Sequence, residues 1–451
     1  MVAATADERK RQPRQPRQRA VSLNDATATA FVSQGPYRFK IHNTNFEDDG
    51  SQSWFWRPHV VTVLTLVVCA VVYMALFLDD EDSSINAQRG VAVACGVFLV
   101  QAAMQFNDGP FIRPHPVVWR LVLGASVLYE MGLLFILFQK PEDGRRALKF
   151  LDPNLGQKLP EQTYADDCRI YVPDHPSGNP YANFLQKMDR FVIAHALGWV
   201  VKALAFRNLK ILLVCSFAFE LFEYMLEFQL PNFGECWWDH WVLDFIVCNG
   251  GGIAVGLLLC RYLEMKEYRW RGINKIPTAR GKLMRAIAQF SPYAWTNFQW
   301  GPYRDLKHWL VTLFAIWMML CSDLNAFYLK STLWIPADHS FNVYRLLFAG
   351  CAAPVAVAEL NAYITDPTCK KMGQQVSMVG LILITEDLIA YKYWDDIPPL
   401  TAADPAWLMT AGVVAFVLVA ITIHYAIKEL FCPNKQRAHA LDIALQPKKL
   451  Q

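Results

Sequence analysis

Acidic residues are concentrated in one stretch of the chain, between residues 220 and 244. Three of them, Glu220, Glu223 and Glu227, are spaced three and four residues apart, which places them on one face of a helix. Glu235 and Asp239 share a face in the same way, and Asp244 follows about one turn deeper. So many carboxylates near one depth would repel one another unless a positive charge lies among them.

A hard divalent cation is the natural counter-charge for such a cluster. An oxygen-only ligand set, without a paired His or Cys, favours calcium or magnesium over zinc. A large, flexible set of carboxylates together with Asn232 favours calcium. We therefore predict a Ca²⁺ site. The alternative is that some of these carboxylates pair with Lys202, Arg207 or water at the helix ends.

One histidine stands close to this cluster in the chain. His195 lies in an apolar run with Lys202 two turns further on. A lone histidine in a membrane segment is most often structural, but a neighbouring carboxylate could hold it as a general base near neutral pH. A base and a cation together suggest chemistry on a lipid phosphodiester, in which the metal neutralises the phosphate and the base activates a hydroxyl.

The elements that carry these groups are apolar enough to lie in a bilayer. The 451 residues are 54% hydrophobic and 18% charged, against about 25% charged in soluble domains. A helix needs about 20 mostly apolar residues to span a membrane. We predict an all-α polytopic membrane protein with about ten transmembrane helices. The ten segments are 60–78, 90–106, 121–138, 191–206, 211–228, 237–259, 309–328, 346–363, 376–391 and 406–427.

Basic residues in short loops predict the orientation, because such loops stay in the cytosol. Residues 1–43 hold eight basic and three acidic residues, and 261–307 hold ten against three. Both termini are therefore predicted to be cytosolic. We divide the chain into a disordered basic arm (1–45), a membrane domain (46–430) and a cytosolic tail (431–451) that ends in a dilysine-like sequence.

Other chemistries have little support in the sequence. A net charge of +3 gives no argument for nucleic acid. The eleven cysteines form no CxxC pair, and nearly all are expected to be small packing residues. The run 249–252 is no phosphate loop and, with Gly256, is typical of small-residue helix packing. Residues 143–147 (DGRRA) begin like a CDP-alcohol phosphotransferase signature but depart from it afterwards.

Several runs together resemble one family. They include His195 to Trp199, FELFEY at 219–224, LPNFGECWWD at 230–239, and Cys248-Asn249-Gly250 after Asp244. Further family-like runs are WRPH at 56–59, DGPFIRPHP at 108–116, DPNL at 152–155 and QFSPYAW at 289–295. The sequence is similar to the base-exchange phosphatidylserine synthases over about residues 45–395. The runs at 222–230 and 239–241 are closer to the type that uses phosphatidylethanolamine.

The resemblance implies a calcium-dependent exchange in the endoplasmic reticulum, in which L-serine replaces the head group of phosphatidylethanolamine, or of phosphatidylcholine, to make phosphatidylserine. It implies His195 as the base, assisted by Glu220, and favours a homodimer. The charge pattern of the loops predicts that the site faces the lumen. Glu227 fits only the ethanolamine type and is not counted as a ligand. The assigned metal ligands are Glu223, Glu235, Asp239 and Asp244. Asn232 and Glu220 are assigned to substrate, and Arg113, His115, Arg285 and Gln289 to a regulatory site for the lipid product.

A cation transporter or channel is the alternative. Its acidic groups would have to follow one path at several depths through the membrane. Residues elsewhere in the predicted spans keep this alternative open: Glu130, Asp323, Glu359, Glu386 and Asp387.

Overall fold

Helices dominate the computed structural model. It describes residues 30–34, 37–41, 44–46, 58–77, 83–158, 164–165, 167–394, 397–399 and 403–431. The α-helices are α1 Pro58–Phe77, α2 Ser83–Gln105, α3 Pro116–Phe138, α4 Pro141–Ala147, α5 Ala182–Lys187, α6 Arg190–Phe206, α7 Leu209–Leu226, α8 Gly251–Met265, α9 Ala279–Ala288, α10 Leu306–Thr332, α11 Ser340–Thr365, α12 Gln374–Lys392 and α13 Pro405–Phe431. A π-helical stretch, Asp239–Gly250, leads directly into α8.

Short elements complete the described chain. β1 (Ala30–Gln34) pairs antiparallel with β2 (Tyr37–Ile41), and β3 (Thr44–Phe46) pairs parallel with β4 (Tyr268–Trp270). Most of the predicted basic arm, residues 1–29, lies outside the described residues, as does the dilysine-like tail, 432–451. The predictions for those two segments stay predictions.

Six of the described helices are long and apolar enough to cross a membrane. They are α2, α3, the continuous helix Asp239–Met265, α10, α11 and α13. α1 and α6 contain shorter apolar stretches, and α7 and α12, which carry buried carboxylates, are not among the six. The multi-pass, helical character is therefore confirmed, whereas the number of ten crossings and the side of each terminus stay predictions.

Glycines bring α8 against α6. A Cβ atom on Gly252 would lie 2.5 Å from the carbonyl oxygen of Ala196, and one on Gly256 would lie 2.5 Å from Cβ of Ala203. Real Cβ atoms do not approach other atoms so closely, so only glycine permits this separation of the two helix axes. The small-residue packing predicted for this run is confirmed.

At the end of the bundle that carries the acidic cluster, residues 164–165 and 167–189 pack over the loop 227–238. Cys168 and Cys236 form a disulfide. Tyr164 N–H donates to the Gly234 carbonyl at 2.9 Å, and the Trp238 indole donates to the Cys168 carbonyl at 3.1 Å. The expectation that the cysteines are packing residues is wrong for this pair, because folding brings together two loop cysteines that lie 68 residues apart.

The DGRRA run serves packing in this fold. Arg145 is buried and donates to the Thr332 carbonyl at 2.9 Å and the Tyr393 carbonyl at 3.1 Å, at the ends of α10 and α12. A cation at two helix C-termini is favoured by the helix dipoles. A Cβ on Gly144 would overlap the Tyr393 hydroxyl, at 1.9 Å. These contacts account for the glycine and the arginine without nucleotide chemistry.

Candidate active site

Three neighbouring helical elements position the candidate site. His195 lies in α6, Glu220 and Glu223 lie near the C-terminal end of α7, and Asp244 and Asn249 lie in the π-helical stretch. π-Helical turns are rare and occur frequently at functional sites, because they re-aim side chains that a regular α-helix would place elsewhere. The carboxylates predicted on successive segments therefore do converge, together with the predicted base.

Asn249 connects the histidine to the first glutamate. His195 Nε2 lies 2.7 Å from Asn249 Oδ1, and Asn249 Nδ2 donates to Glu220 Oε1 at 2.6 Å and to Ser216 Oγ at 3.1 Å. The amide nitrogen of Asn249 faces Glu220, which accepts a hydrogen bond when ionised, and the amide oxygen faces His195. In that arrangement Nε2 donates to Asn249, which leaves Nδ1 as the basic nitrogen of a neutral imidazole.

A second set of contacts closes these side chains into a ring. His195 Nδ1 lies 3.4 Å from Asp244 Oδ1. Glu235 lies close enough to Asp244 for the two charges to interact, and its Oε2 lies 4.0 Å from Nδ1 of His240. Glu235 lies in the loop before the helix. Its burial, reinforced by the charges of Asp244 and Asp239, raises its pKa above the ordinary value.

His240 is the residue that the sequence analysis missed. Its Nδ1 lies 3.4 Å from Glu220 Oε2 and 4.0 Å from Glu223 Oε2. One ligand atom from each of these three buried residues lies within 4.8 Å of the others, a spacing that could hold a metal ion. The fold thus brings an imidazole nitrogen close to carboxylate oxygens from the acidic run, while the oxygen-only ligand set stays a prediction. The position of His240 beside Asp239 in the acidic run was the available signal.

The remaining predicted residues lie around this centre. Asp239 Oδ2 faces Lys187 Nζ at 3.6 Å. Asn232 lies in the 3₁₀ turn Pro231–Phe233, three residues before Glu235. Glu227 is exposed at the end of α7, consistent with its omission from the ligand set.

The two cations considered as alternative partners are engaged elsewhere. Lys202 Nζ donates to Asp323 Oδ2 at 2.7 Å. Arg207 lies over the Trp295 ring, with its guanidinium carbon 3.7 Å from the ring centroid. Neither of these contacts neutralises the ring of carboxylates, so the need for a positive charge remains.

Comparison with known proteins gives the same family that the motifs resemble. The family described as phosphatidyl serine synthase matches residues 114–394. The chain belongs to the phosphatidylserine synthase family. A zebrafish protein named phosphatidylserine synthase 2 is 47% identical over 77% of this chain and 77% of its own length. The human protein of that name is 43% identical over 82% of this chain and 76% of its own length.

Plant relatives carry a different name. A rice protein named CDP-diacylglycerol–serine O-phosphatidyltransferase 2 is 39% identical over 77% of this chain and 84% of its own length. The two relatives named phosphatidylserine synthase 2 have a higher sequence identity to this chain, 47% and 43%, than the rice protein, at 39%. Together these matches identify the chain as an enzyme, a phosphatidylserine synthase, and confirm its resemblance to the phosphatidylserine synthase 2 type.

The predicted regulatory residues of this phosphatidylserine synthase also meet, away from the carboxylates. Arg113 and Arg285 both donate to Gln289 Oε1, the latter at 2.7 Å. Their guanidinium carbons lie 4.4 and 5.1 Å from the ring centroid of Trp270. His115 caps α3 by accepting from Val117 N at 3.2 Å, and Gln289 donates to the neighbouring Pro114 carbonyl. The fold therefore joins the loop before α3 to the C-terminal end of α9.

Two acidic groups of the transporter alternative have local partners. Glu386 forms a bidentate ion pair with Arg345, with a closest approach of 2.7 Å. Glu359 accepts from Val376 N at 2.9 Å, at the start of α12. These partners give each carboxylate a local structural role. Together with the family membership, they favour the enzyme over the transporter.

Proposed function

We propose that this enzyme makes phosphatidylserine by calcium-dependent base exchange, with L-serine replacing the ethanolamine of phosphatidylethanolamine. The observation that carries the proposal is the His195–Asn249–Glu220 chain, which leaves a basic ring nitrogen beside a cluster of carboxylates. Phosphatidylcholine is a second possible donor, and CDP-diacylglycerol, named for the plant relatives, is a third.

His195 Nδ1 is the proposed proton acceptor. The oxygen of serine forms a bond to phosphorus as its proton passes to Nδ1. The bond from phosphorus to the ethanolamine oxygen breaks, and the proton returns to that oxygen. The imidazolium that forms in between lies 3.4 Å from Asp244, whose negative charge stabilises it. One phosphodiester bond is broken and one is made, so no nucleotide is consumed.

The donor atoms present fit a divalent cation. Glu220 Oε2 and Glu235 Oε2 are buried and accept no hydrogen bond from the residues that the structure describes, and the three-residue group Glu220, Glu223 and His240 has ligand spacing. We propose that Glu223, Glu235, Asp239 and Asp244 hold Ca²⁺, with Glu220 Oε2 and His240 beside them. Bound calcium supplies charge neutralisation for the lipid phosphate. We propose that Asn232, in the adjacent turn, binds substrate.

We place the site on the lumenal side of the endoplasmic reticulum. Disulfides form and persist in oxidising compartments, and the Cys168–Cys236 disulfide lies at the same end of the bundle as the carboxylates. The basic residues of 261–307, at the other end of the helix that carries Asp244, support cytosolic placement of that loop. A homodimer with both termini in the cytosol completes the proposal.

Arg113, His115, Arg285 and Gln289 are proposed to bind the head group of the product and to inhibit the enzyme. Two guanidinium groups that share Gln289 supply charge for a phosphate and a carboxylate. Gln289→Leu should weaken inhibition by added phosphatidylserine while leaving the initial rate intact. Undiminished inhibition of this variant would contradict the assignment.

The function is tested with purified protein in vesicles that contain a single donor lipid. Labelled serine should enter lipid from phosphatidylethanolamine, with release of one free ethanolamine per serine, and calcium chelation should stop the exchange. Release of choline from phosphatidylcholine, or of CMP from CDP-diacylglycerol, would identify another donor. An equal rate in chelator would contradict calcium dependence.

A further inference from the structure

Two lysines approach the carboxylate ring within the part of the chain whose side chains are described. Lys202 forms a short ion pair with Asp323 and lies 4.1 Å from the Trp199 ring centroid. Lys187 differs from it. Its Nζ is 3.6 Å from Asp239 Oδ2, which is longer than a direct hydrogen bond.

Lys187 lies beside Asp239 and keeps one N–H donor for a ligand. Its ammonium group donates to the Tyr164 carbonyl at 2.6 Å and lies 4.9 Å from the Tyr164 ring centroid. An ammonium group has three donors. The Tyr164 carbonyl takes one and Asp239 attracts a second, so a third can bind a ligand. About a fifth of the Lys187 side chain is exposed.

The carboxylates that contact Lys187 and His195 lie on one helix. Lys187 faces Asp239, and His195 faces Asp244, five residues further along. Asp239 and Asp244 lie in the same π-helical stretch, so the two contacts follow one another along a single helix. L-Serine carries its hydroxyl and its carboxylate three bonds apart, and each can form a hydrogen bond of about 2.8 Å. A serine whose hydroxyl lies at His195 can therefore extend its carboxylate toward Lys187.

The negative charge of the serine carboxylate is the reason for placing it at Lys187. The carboxylate of serine enters a site lined with Glu and Asp, where it is repelled unless a cation receives it. Lys187 is a compact point charge on a flexible stem, suited to a mobile carboxylate ligand. Ethanolamine and choline carry no carboxylate and gain nothing from this lysine.

We propose that Lys187 binds the carboxylate of L-serine and thereby selects serine over alcohols that lack a carboxylate. This inference rests on the proposed base exchange. Lys187 is positioned by the segment 164–189, which the Cys168–Cys236 disulfide joins to the loop that carries Glu235. Acceptor selectivity is thus assigned to the loop that covers the site, and proton transfer to the helices beneath it.

The test compares acceptors on reconstituted full-length protein with phosphatidylethanolamine as the donor. L-Serine, L-serinamide and ethanolamine are offered to the wild type and to Lys187→Met, Lys187→Gln and Lys187→Arg. In the Met and Gln variants, the KM for serine should rise about tenfold or more, the loss expected for one hydrogen bond between charged groups. In the same two variants, the kcat/KM for serine divided by that for serinamide should fall by the same factor. Lys187→Arg, which keeps the positive charge, should retain part of the preference for serine. Lys210→Met, an exposed lysine on α7, is the matched control.

An unchanged KM for serine in Lys187→Met would overturn the inference, as would an equal loss with all three acceptors. The wild type provides a check that does not depend on how a variant folds, since failure to prefer L-serine over L-serinamide also contradicts it. A wild-type protein that exchanges neither serine nor ethanolamine would instead contradict the proposed function.

Discussion

The side chains of His195 and Asn249 lie 2.7 Å apart, and this contact sets the tautomer of the imidazole. Asn249 is in turn oriented by Glu220, so a carboxylate on α7 determines which nitrogen of a histidine on α6 is basic. We therefore propose that Glu220, predicted from the sequence to be catalytic, acts through Asn249 as a positioning residue. Its second oxygen remains available to a cation.

Replacing Asn249 by Leu should lower kcat more than it changes the KM for serine. The substitution removes the acceptor that fixes the proton on Nε2, so the basic nitrogen no longer faces the substrate in every molecule. His195→Ala should remove the full contribution of the base, about 10²–10⁴-fold in rate. Steady-state serine exchange measures both effects. Ser216→Ala, which removes only the second acceptor of Asn249 Nδ2, should cost far less. Equal losses in the Ser216 and Asn249 variants would argue against tautomer control.

Glu223→Gln should raise the calcium concentration needed for half-maximal rate. The change keeps the shape of a buried side chain and removes the charge that attracts the ion. Calcium titration of serine exchange, with direct calcium binding as a second readout, measures the effect. Glu227→Gln is the matched control, because Glu227 lies one turn further along the same region and is exposed. If the two variants shifted the calcium dependence equally, the carboxylate cluster would not be the ion site.

Gly252→Ala should reduce activity although glycine has no side chain that could act on the substrate. Its new Cβ would lie 2.5 Å from the Ala196 carbonyl and 2.7 Å from Trp199 Cβ, so α6 must shift and carry His195 with it. Gly251→Ala, where nothing lies within 4 Å of the added atom, should retain activity. Serine exchange and thermal unfolding, measured on both variants, separate the two positions. A fully active Gly252→Ala would show that close packing of α8 on α6 is dispensable.

Removing the Cys168–Cys236 disulfide should destabilise the loop over the site. The cross-link closes a loop of 68 residues, and loss of a disulfide of this kind costs about 2–4 kcal/mol. Cys168→Ser should lower the unfolding temperature and raise the KM for serine, because Lys187 is held by the same segment. Cys351→Ser, an exposed free cysteine, is the control. On a non-reducing gel, fragments cut between the two cysteines should stay joined until reductant is added, and separation without reductant would refute the bond.

The acidic cluster, the histidine and the membrane class were predictable because each depends on local sequence. Glu220 and Glu223 share a helix face however the helices pack. Apolar runs of about 20 residues can be recognised as transmembrane helices from composition alone. His240 could not be placed in this way. Its direction depends on the π-helical stretch and on the approach of α7, neither of which is visible in side-chain spacing.

The sequence by itself determined which residues carry charge within the apolar segments, where helices form, and which family the chain belongs to, because these follow from residue type and short-range order. Only the tertiary structure decided which partners meet. It set Asn249 between His195 and Glu220, joined Cys168 to Cys236, and placed Lys187 beside Asp239. The physical reason is that these contacts join residues far apart in the chain, and their geometry is fixed by how helices pack rather than by the sequence around each residue.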